Sequence, residues 1–398
     1  MTSEILRYGF VGCGMMGQEH LRNLAMVDGA QVVAIYEPDE AMRALSAEFA
    51  PQAAFASDLP ALLERADIDA WVITSPNHMH AQQLQMLAAC PVHKPILLEK
   101  PACTDLSDVA ALRTLAASYS APIWTAMEYR YMPPIAKLLE VAHTGTVTGD
   151  VVMFSVREHR YPFLTKVGDW NRFARNTGGT LVEKCCHFFD LMRLVMRADP
   201  VRVFSSGGQN HNHLGESYGG QTPDILDNAY VVLDFPQGRR ALLDLCMFAE
   251  GACYQEELTV VGAKGKLECK VPGPGRFWPP EQGDAPVAQL IASQRHKTGP
   301  EGWTNQPTIK SFAPKTLEIP VDPLLLAAGD HNGSTFYQHQ KFAQVVRRFK
   351  SRASQPPTDF GVEVNLMDGL KAVVIGLAAE KSAQTGQTIS LTEGAYQL

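Results

Sequence analysis

The chain has 398 residues, 45% of them apolar and 19% charged, with a formal net charge of −7. That length predicts about two domains of ordinary globular composition. The acidic balance argues against a nucleic-acid partner, and no run of about 18 apolar residues predicts a membrane span. Met1-Thr2-Ser3-Glu4 lacks the basic-then-apolar pattern of a secretion signal. Eight cysteines stand at positions 13, 90, 103, 185, 186, 246, 253 and 269 with no Cys-x-x-Cys pair, which predicts reduced thiols and a cytoplasmic protein.

From residue 1 to about 127 strand and helix alternate. Arg7 to Val11 reads as a short apolar strand, Val11-Gly12-Cys13-Gly14-Met15-Met16-Gly17 as a glycine-rich turn, and Met16 to Met26 as a helix. Gln31 to Tyr36 is a second strand, ending at Glu37. Glu40 to Phe49 is a predicted helix, and Ser57-Asp58 caps another through Arg65. Ile68 to Thr74 is a strand ending in Ser75-Pro76-Asn77, followed by a helix from His80 to Ala89. Pro95 to Leu98 is a strand ending at Glu99-Lys100-Pro101. A helix from Leu106 to Ala117 and a strand from Pro122 to Met127 complete the series.

Repeated strand–helix units imply a parallel sheet with right-handed crossovers, and such sheets bind ligands at the carboxyl ends of their strands. The rule places residues 12 to 17, Glu37, Thr74, Ser75, Pro76, Asn77, Glu99, Lys100 and Glu128 on one rim. Gly12 suits a tight turn, Gly14 close approach of a pyrophosphate, and Gly17 packing of helix on strand. Glu37 is spaced to hydrogen-bond a ribose 2′-hydroxyl. These features predict a dinucleotide-binding unit over residues 1–127, with NAD preferred to NADP because a carboxylate repels a 2′-phosphate. Arg43, on the next helix, reaches that position only with effort.

Beyond about residue 130 the pattern changes. Val151 to Glu158 alternates like a strand and leads into a loop with Trp170 and Asn171. A helix is predicted from about Leu181 to Met196. Strand-like runs follow at Val201–Ser205, Asn228–Phe235, Arg240–Cys246, Glu257–Gly262 and Lys266–Val271, with hairpin-like turns between some of them. They predict a mixed, largely antiparallel sheet over residues 128–398. Residues 272–320 are rich in Pro, Gly and Gln and read as an irregular excursion. Two helices, Ser334–Lys350 and Val364–Thr385, close the chain.

Chemistry concentrates at Gly178-Gly179-Thr180-Leu181-Val182-Glu183-Lys184-Cys185-Cys186-His187-Phe188-Phe189-Asp190. The segment is apolar nearly all round, so the helix should be buried. Yet Glu183, His187 and Asp190 stand at i, i+4 and i+7, a polar stripe on one face. Either the stripe faces a wet cleft and moves protons, or it is satisfied structurally, for example by a Glu183–His187 pair. Lys100, at a strand end on the rim and fixed by Pro101, is placed to hydrogen-bond a substrate oxygen.

Taken together, Gly12-x-Gly14-x-x-Gly17, Glu99-Lys100-Pro101, the pattern at 178–190 and His331-Asn332-Gly333-Ser334-Thr335-Phe336-Tyr337 make the chain resemble the Gfo/Idh/MocA family of oxidoreductases over essentially its whole length. The family includes glucose–fructose oxidoreductase and inositol dehydrogenase. The resemblance implies a Rossmann domain followed by an α/β domain with an open mixed sheet, an NAD cofactor, a sugar or cyclitol substrate, and a homodimer or homotetramer. It carries catalytic roles to Lys100, Glu183 and His187: His187 takes the proton of a secondary hydroxyl, Lys100 holds the developing charge, and hydride passes to the nicotinamide. Glu183 positions His187 or a neighbouring substrate hydroxyl. Many relatives have Asp where this chain has Glu183, and small residues where it has Lys184, Cys185 and Cys186, which implies a subgroup with its own substrate.

In the resembled family the segment through His78 and His80 passes along the cofactor, so His80 is expected there as cofactor wall and not as a metal ligand. Adjacent Cys185, Cys186 and His187 diverge around a helix, and no metal is expected. Arg157, His159, Arg160 and Tyr161 at a strand end are candidate substrate contacts, as is Trp170, whose face suits a sugar ring. Asp224, Asp227 and Asn228 are weaker candidates, and Asp190 is expected to be structural. Two other activities fit the motifs: a glycoside hydrolase that uses NAD transiently, and a dinucleotide-binding sensor without turnover.

Overall fold

The computed structural model describes residues 5–294, 314–351 and 360–398. Six strands form an all-parallel sheet: β1 (Leu6–Val11), β2 (Ala30–Tyr36), β3 (Ala54–Phe55), β4 (Ala70–Ile73), β5 (Ile96–Leu98) and β6 (Ile123–Thr125). Their order is β3-β2-β1-β4-β5-β6. The strand order reverses between β1 and β4, so the crevice beyond their carboxyl ends is the place for a ligand in such a sheet. Strands β4, β5 and β6 are buried along their whole length, as parallel strands covered by helices on both faces must be.

The second sheet has nine strands: β7 (Val151–His159), β8 (Arg202–Gly208), β9 (Asn228–Asp234), β10 (Arg240–Cys246), β11 (Glu256–Gly262), β12 (Gly265–Val271), β13 (Gln289–Gln294), β14 (Lys315–Glu318) and β15 (Ile389–Ser390). Their order is β14-β13-β12-β11-β7-β10-β9-β8-β15. Only β7 and β10 run parallel; every other pair is antiparallel. One face packs Phe154, Val156, Val231, Leu243, Leu258 and Leu267 against the helices Pro133–Thr144, Cys186–Met196 and Leu366–Thr385. The other face stays open and carries Met153, Phe204, Tyr230 and Leu242 exposed.

The end of the chain crosses back to the first sheet. Phe342, Ala343, Val345 and Val346, on the helix Ser334–Ser351, join Tyr8, Phe10 and Trp124 in one cluster. Helix Leu366–Thr385 touches both halves. Leu366, Leu370, Val373 and Val374 pack with the parallel-sheet core, while Ala372, Ile375, Ala378 and Ala379 pack with the second. Among the described residues no helix is long and apolar enough to cross a membrane.

Three local expectations change. The helix expected over 181–196 is two pieces, Thr180–Glu183 and Cys186–Met196, broken at Lys184 and Cys185. The stretch 272–320 contains β13 and β14, whose apolar residues are too few to stand out among its prolines and glycines; residues 295–313 of it lie outside the described residues. The structure adds the helix Pro133–Thr144, which proline opens in its first turn and Gly145 closes in the left-handed region.

Candidate active site

The glycine-rich turn joins β1 to the helix Met15–Leu24, which starts at Gly14 with no side-chain cap. The first-turn N–H groups therefore have no side-chain acceptor, which makes them available to an anion. Gly12 has φ +84°, and a Cβ there would lie 2.6 Å from the Ser75 backbone. A Cβ on Gly17 would come within 2.9 Å of the Thr74 hydroxyl, whereas nothing lies within 4 Å of a Cβ on Gly14. That open space in front of uncapped amides fits the diphosphate of a dinucleotide.

Gly12, Gly14, Met15, Met16, Glu37 and Thr74 line this cleft, as do Ser75, Pro76, Asn77, Glu99, Lys100 and Trp170. The Glu37 carboxylate accepts hydrogen bonds from the backbone N–H of Cys13 (2.6 Å) and Asp39 (2.9 Å), tying the end of β2 to the glycine turn. Arg43 is close after all: its guanidinium donates to the carbonyls of Glu37 and Pro38 at 2.9 and 2.8 Å. Those bonds hold it on backbone oxygens.

Three expected cofactor residues lie elsewhere. His80 is fully buried, its ring nitrogens facing the carbonyls of Ser75 and Pro101 at 2.9 and 2.7 Å, so it supports the rim from behind. Glu128 is also fully buried and meets Thr335, Ser334 and His331. Gly17 serves helix packing and does not line the cleft.

The rim's other end is held by buried polar bonds. Glu99 bonds His20 (2.8 Å) through one oxygen and accepts the Lys100 backbone N–H (3.1 Å) with the other. Burial opposes ionisation of Glu99, yet the hydrogen bond and charge of His20, with Lys100 beside it, hold the carboxyl below its usual range. Lys100 then reaches across to the second half of the molecule, where its Nζ donates to the backbone carbonyl of Glu183 at 2.9 Å.

The three polar residues of the stripe meet three partners, Glu183 ahead of the break and His187 and Asp190 beyond it. The Glu183 carboxylate takes Lys166 (2.9 Å), so it does not pair with His187. Asp190 makes two bonds of 2.5 Å to Arg130, a buried structural pair. His187 stacks on Tyr129 with ring centroids 4.2 Å apart and planes 11° from parallel. Its Nδ1 is sealed from solvent without a hydrogen bond. Burial first, then the positive charges of Lys100, Lys184, His331 and Arg160, push its pKa well below the usual value, so the imidazole is neutral at physiological pH.

Behind Tyr129 lies a group of buried charges that the sequence did not reveal. Lys184 bonds the Tyr129 hydroxyl and pairs with Glu158 at 2.8 Å, and Arg160 pairs with Glu158 at 3.4 Å. Glu256 is held up to about 8 by burial and by Glu158, against Lys184 and Arg160. Strand parity was the available signal. In β7, Phe154, Val156 and Glu158 share the buried face, so Glu158 is an inward acid. The same parity removes Arg157 from the pocket: it points to the open face and pairs with Glu257. His159 pairs with Asp244 there at 3.1 Å. Asp224 accepts the Ala174 N–H, and Asp227 accepts the N–H groups of residues 210 to 212, so both shape loops.

A further cluster joins buried Glu19 and Glu128 to half-buried His331. His331 Nδ1 lies 2.8 Å from Glu19 and Nε2 3.7 Å from Glu128. Burial works against the imidazolium, but the two carboxylates raise His331 to about 9. These three residues alone among the described ones have metal-ligand types and atoms within 4.8 Å of one another. Neither His78–His80 nor Cys185–His187 forms such a group.

Comparison with known proteins gives the family and the fold. Residues 6–127 match the model of the oxidoreductase family's NAD-binding Rossmann fold, and residues 145–391 match its C-terminal alpha/beta domain. The chain belongs to the Gfo/Idh/MocA oxidoreductase family. It is thus an NAD(P)-dependent oxidoreductase with an NAD-binding Rossmann domain and a second, mixed-sheet domain. It is similar to the myo-inositol 2-dehydrogenase of Thermotoga maritima, at 26% identity over 66% of this chain and 74% of the relative. Its fold is that of a putative myo-inositol dehydrogenase of Sinorhizobium meliloti, with a TM-score of 0.69, 20% identity and coverage of 97% and 99% of the two chains. It is likewise that of GenD2 from gentamicin A biosynthesis, solved in complex with NAD, with a TM-score of 0.72, 19% identity and coverage of 98% and 97%.

Proposed function

We propose that this Gfo/Idh/MocA enzyme oxidises a secondary hydroxyl of a cyclitol or sugar, with Lys100 and His187 handling the proton. The observation that carries the reading is the reach of Lys100 Nζ to the Glu183 carbonyl, four residues before His187. It brings an amine from the dinucleotide half to the short helix Thr180–Glu183, just ahead of the helix that bears the imidazole. The cofactor, held by Gly12 to Met16, Glu37 and Ser75 to Asn77, supplies a hydride acceptor. Lys100 donates a hydrogen bond to the substrate oxygen and holds the charge that develops there. His187, kept neutral by burial and its cationic neighbours, accepts the hydroxyl proton. Glu183, whose second oxygen is buried without a partner, accepts a neighbouring substrate hydroxyl. Homology to inositol 2-dehydrogenases favours a cyclitol.

The carboxylate of Glu37 favours NAD over NADP. Eight unpaired thiols suit a reducing compartment, so the proposal places the enzyme in the cytoplasm. It assigns the open sheet face, with Met153, Phe204, Tyr230 and Leu242, to a homodimer or homotetramer contact.

The test is NADH production over cyclitols, aldoses, sugar acids and glycosides, with Lys100→Met and His187→Asn beside the wild type. Loss of a positioned acid–base group lowers kcat by about 10²–10⁴-fold. Near-wild-type kcat in both variants refutes the assignment. Glycoside cleavage without net NADH would move the reading to an NAD-assisted hydrolase.

A further inference from the structure

We infer that Lys166 is a cofactor-binding residue that grips the nicotinamide half of the dinucleotide and links it to Glu183. The inference rests on the reading of Glu183 as a substrate-facing acid. Lys166 belongs to the strap between β7 and the helix Thr180–Glu183, not to the Rossmann unit, yet it lines the same cleft as Gly14, Ser75 and Lys100. Among the described residues that line this cleft, the acids are Glu37, Asp39 and Glu99, and the cations are Lys100 and Lys166. In the proposed reaction Lys100 serves the Glu183 carbonyl and the substrate oxygen. Lys166 is the other cation on the cleft wall, placed to meet a dinucleotide oxygen.

Its position along the cleft is fixed by two contacts. Nζ pairs with Glu183 Oε1 at 2.9 Å and sits 4.5 Å from the centre of the Trp170 ring. Trp170 in turn meets His78 edge-on at 6.1 Å, on the turn after β4. Glu183 and Lys100 mark the reactive end, whereas Glu37 marks the adenosine end. An ammonium has three donors, and Glu183 Oε1 uses one. A second can reach a ribose, phosphate or carboxamide oxygen while the first still holds Glu183. The same side chain then fixes the acid that faces the substrate and registers whether the cofactor is in place.

The experiment is equilibrium binding, read by NADH fluorescence and by calorimetry with ADP-ribose and AMP, on wild type, Lys166→Met and Lys166→Arg. Removing one charge-assisted hydrogen bond at a partly exposed site predicts about tenfold weaker NADH binding for Lys166→Met. AMP binding should stay within about twofold, because its contacts are at the Glu37 end. Lys166→Arg, which keeps charge and donors, should recover most of the NADH affinity and shows that the fold is intact. Unchanged NADH affinity in Lys166→Met overturns the inference and leaves the proposed reaction standing. Equal weakening of AMP and NADH also overturns it, because the effect is then not confined to one half. A wild-type protein that binds no NADH refutes the cofactor site itself.

Discussion

Replacing Glu256 by glutamine should make the protein more stable at alkaline pH, although it removes a carboxyl group beside a buried salt-bridge group. Glu256 is fully buried, and burial with the neighbouring Glu158 raises its carboxyl to about 8 while Lys184 and Arg160 oppose the shift. Gln255 donates to one oxygen at 2.6 Å, and the other has no partner. In the unfolded chain the same group titrates near its ordinary value of 4.5. The native state therefore binds the proton more tightly, and this group's contribution to stability falls as pH rises from about 4.5 through about 8. At about 1.4 kcal/mol per pH unit, the loss over that window is on the order of 3–5 kcal/mol. Glutamine mimics the protonated acid at every pH and should lose none of it. Urea unfolding followed by circular dichroism at about pH 5, 7 and 9 would measure both proteins. Near pH 5 the two should agree, and near pH 9 Glu256→Gln should be the more stable by a few kcal/mol. Parallel decline of variant and wild type would show that Glu256 is ionised in the native protein and would overturn the reasoning.

Three other outcomes follow from specific contacts. Asp190→Asn leaves the buried Arg130 guanidinium without its charge partner and should cost about 3–5 kcal/mol in urea unfolding. Gly14→Ala should leave thermal stability unchanged, because its Cβ meets nothing, yet weaken NADH binding by filling the approach to the uncapped amides; Gly12→Ala, at φ +84° against Ser75, should destabilise the fold itself. His331→Gln should flatten a second alkaline decline. The imidazolium's contribution is complete below about 6.5 and is lost as pH rises through about 9, so wild type and variant should diverge most under acidic conditions.

The parallel sheet was legible because its signals are local. A glycine turn between an apolar strand and a helix, and strands ending in Glu37, Ser75 and Glu99, fix the rim within short stretches of sequence. Glu40–Phe49 has the same bounds in sequence and structure because Asp39 caps its start, accepting the Met42 N–H. Local signals fail where the partner is remote. Glu183 at i and His187 at i+4 look like a pair, but Lys166 seventeen residues earlier takes Glu183, and Lys100 eighty-three residues earlier takes its carbonyl. Glu128 follows β6 and so looked like a rim residue, until helix Ser334–Ser351 covered it with Thr335. Arg157 and Glu158 are adjacent, and only the parity of β7 decides which of them faces the core.

The break at Lys184 and Cys185 is what makes one short segment serve two purposes. An unbroken helix would set Glu183, His187 and Asp190 along one face, all toward the same neighbour. With the break, Asp190 locks Arg130, while Glu183 turns to Lys166 and exposes its carbonyl to Lys100. Lys184, at the break itself, swings behind Tyr129 and pairs with Glu158. The positive field of Lys184 and Lys100 then falls on His187 from two sides and adds to its burial in keeping the ring deprotonated. In the proposed reaction this neutral imidazole accepts the hydroxyl proton while the Lys100 ammonium steadies the oxygen.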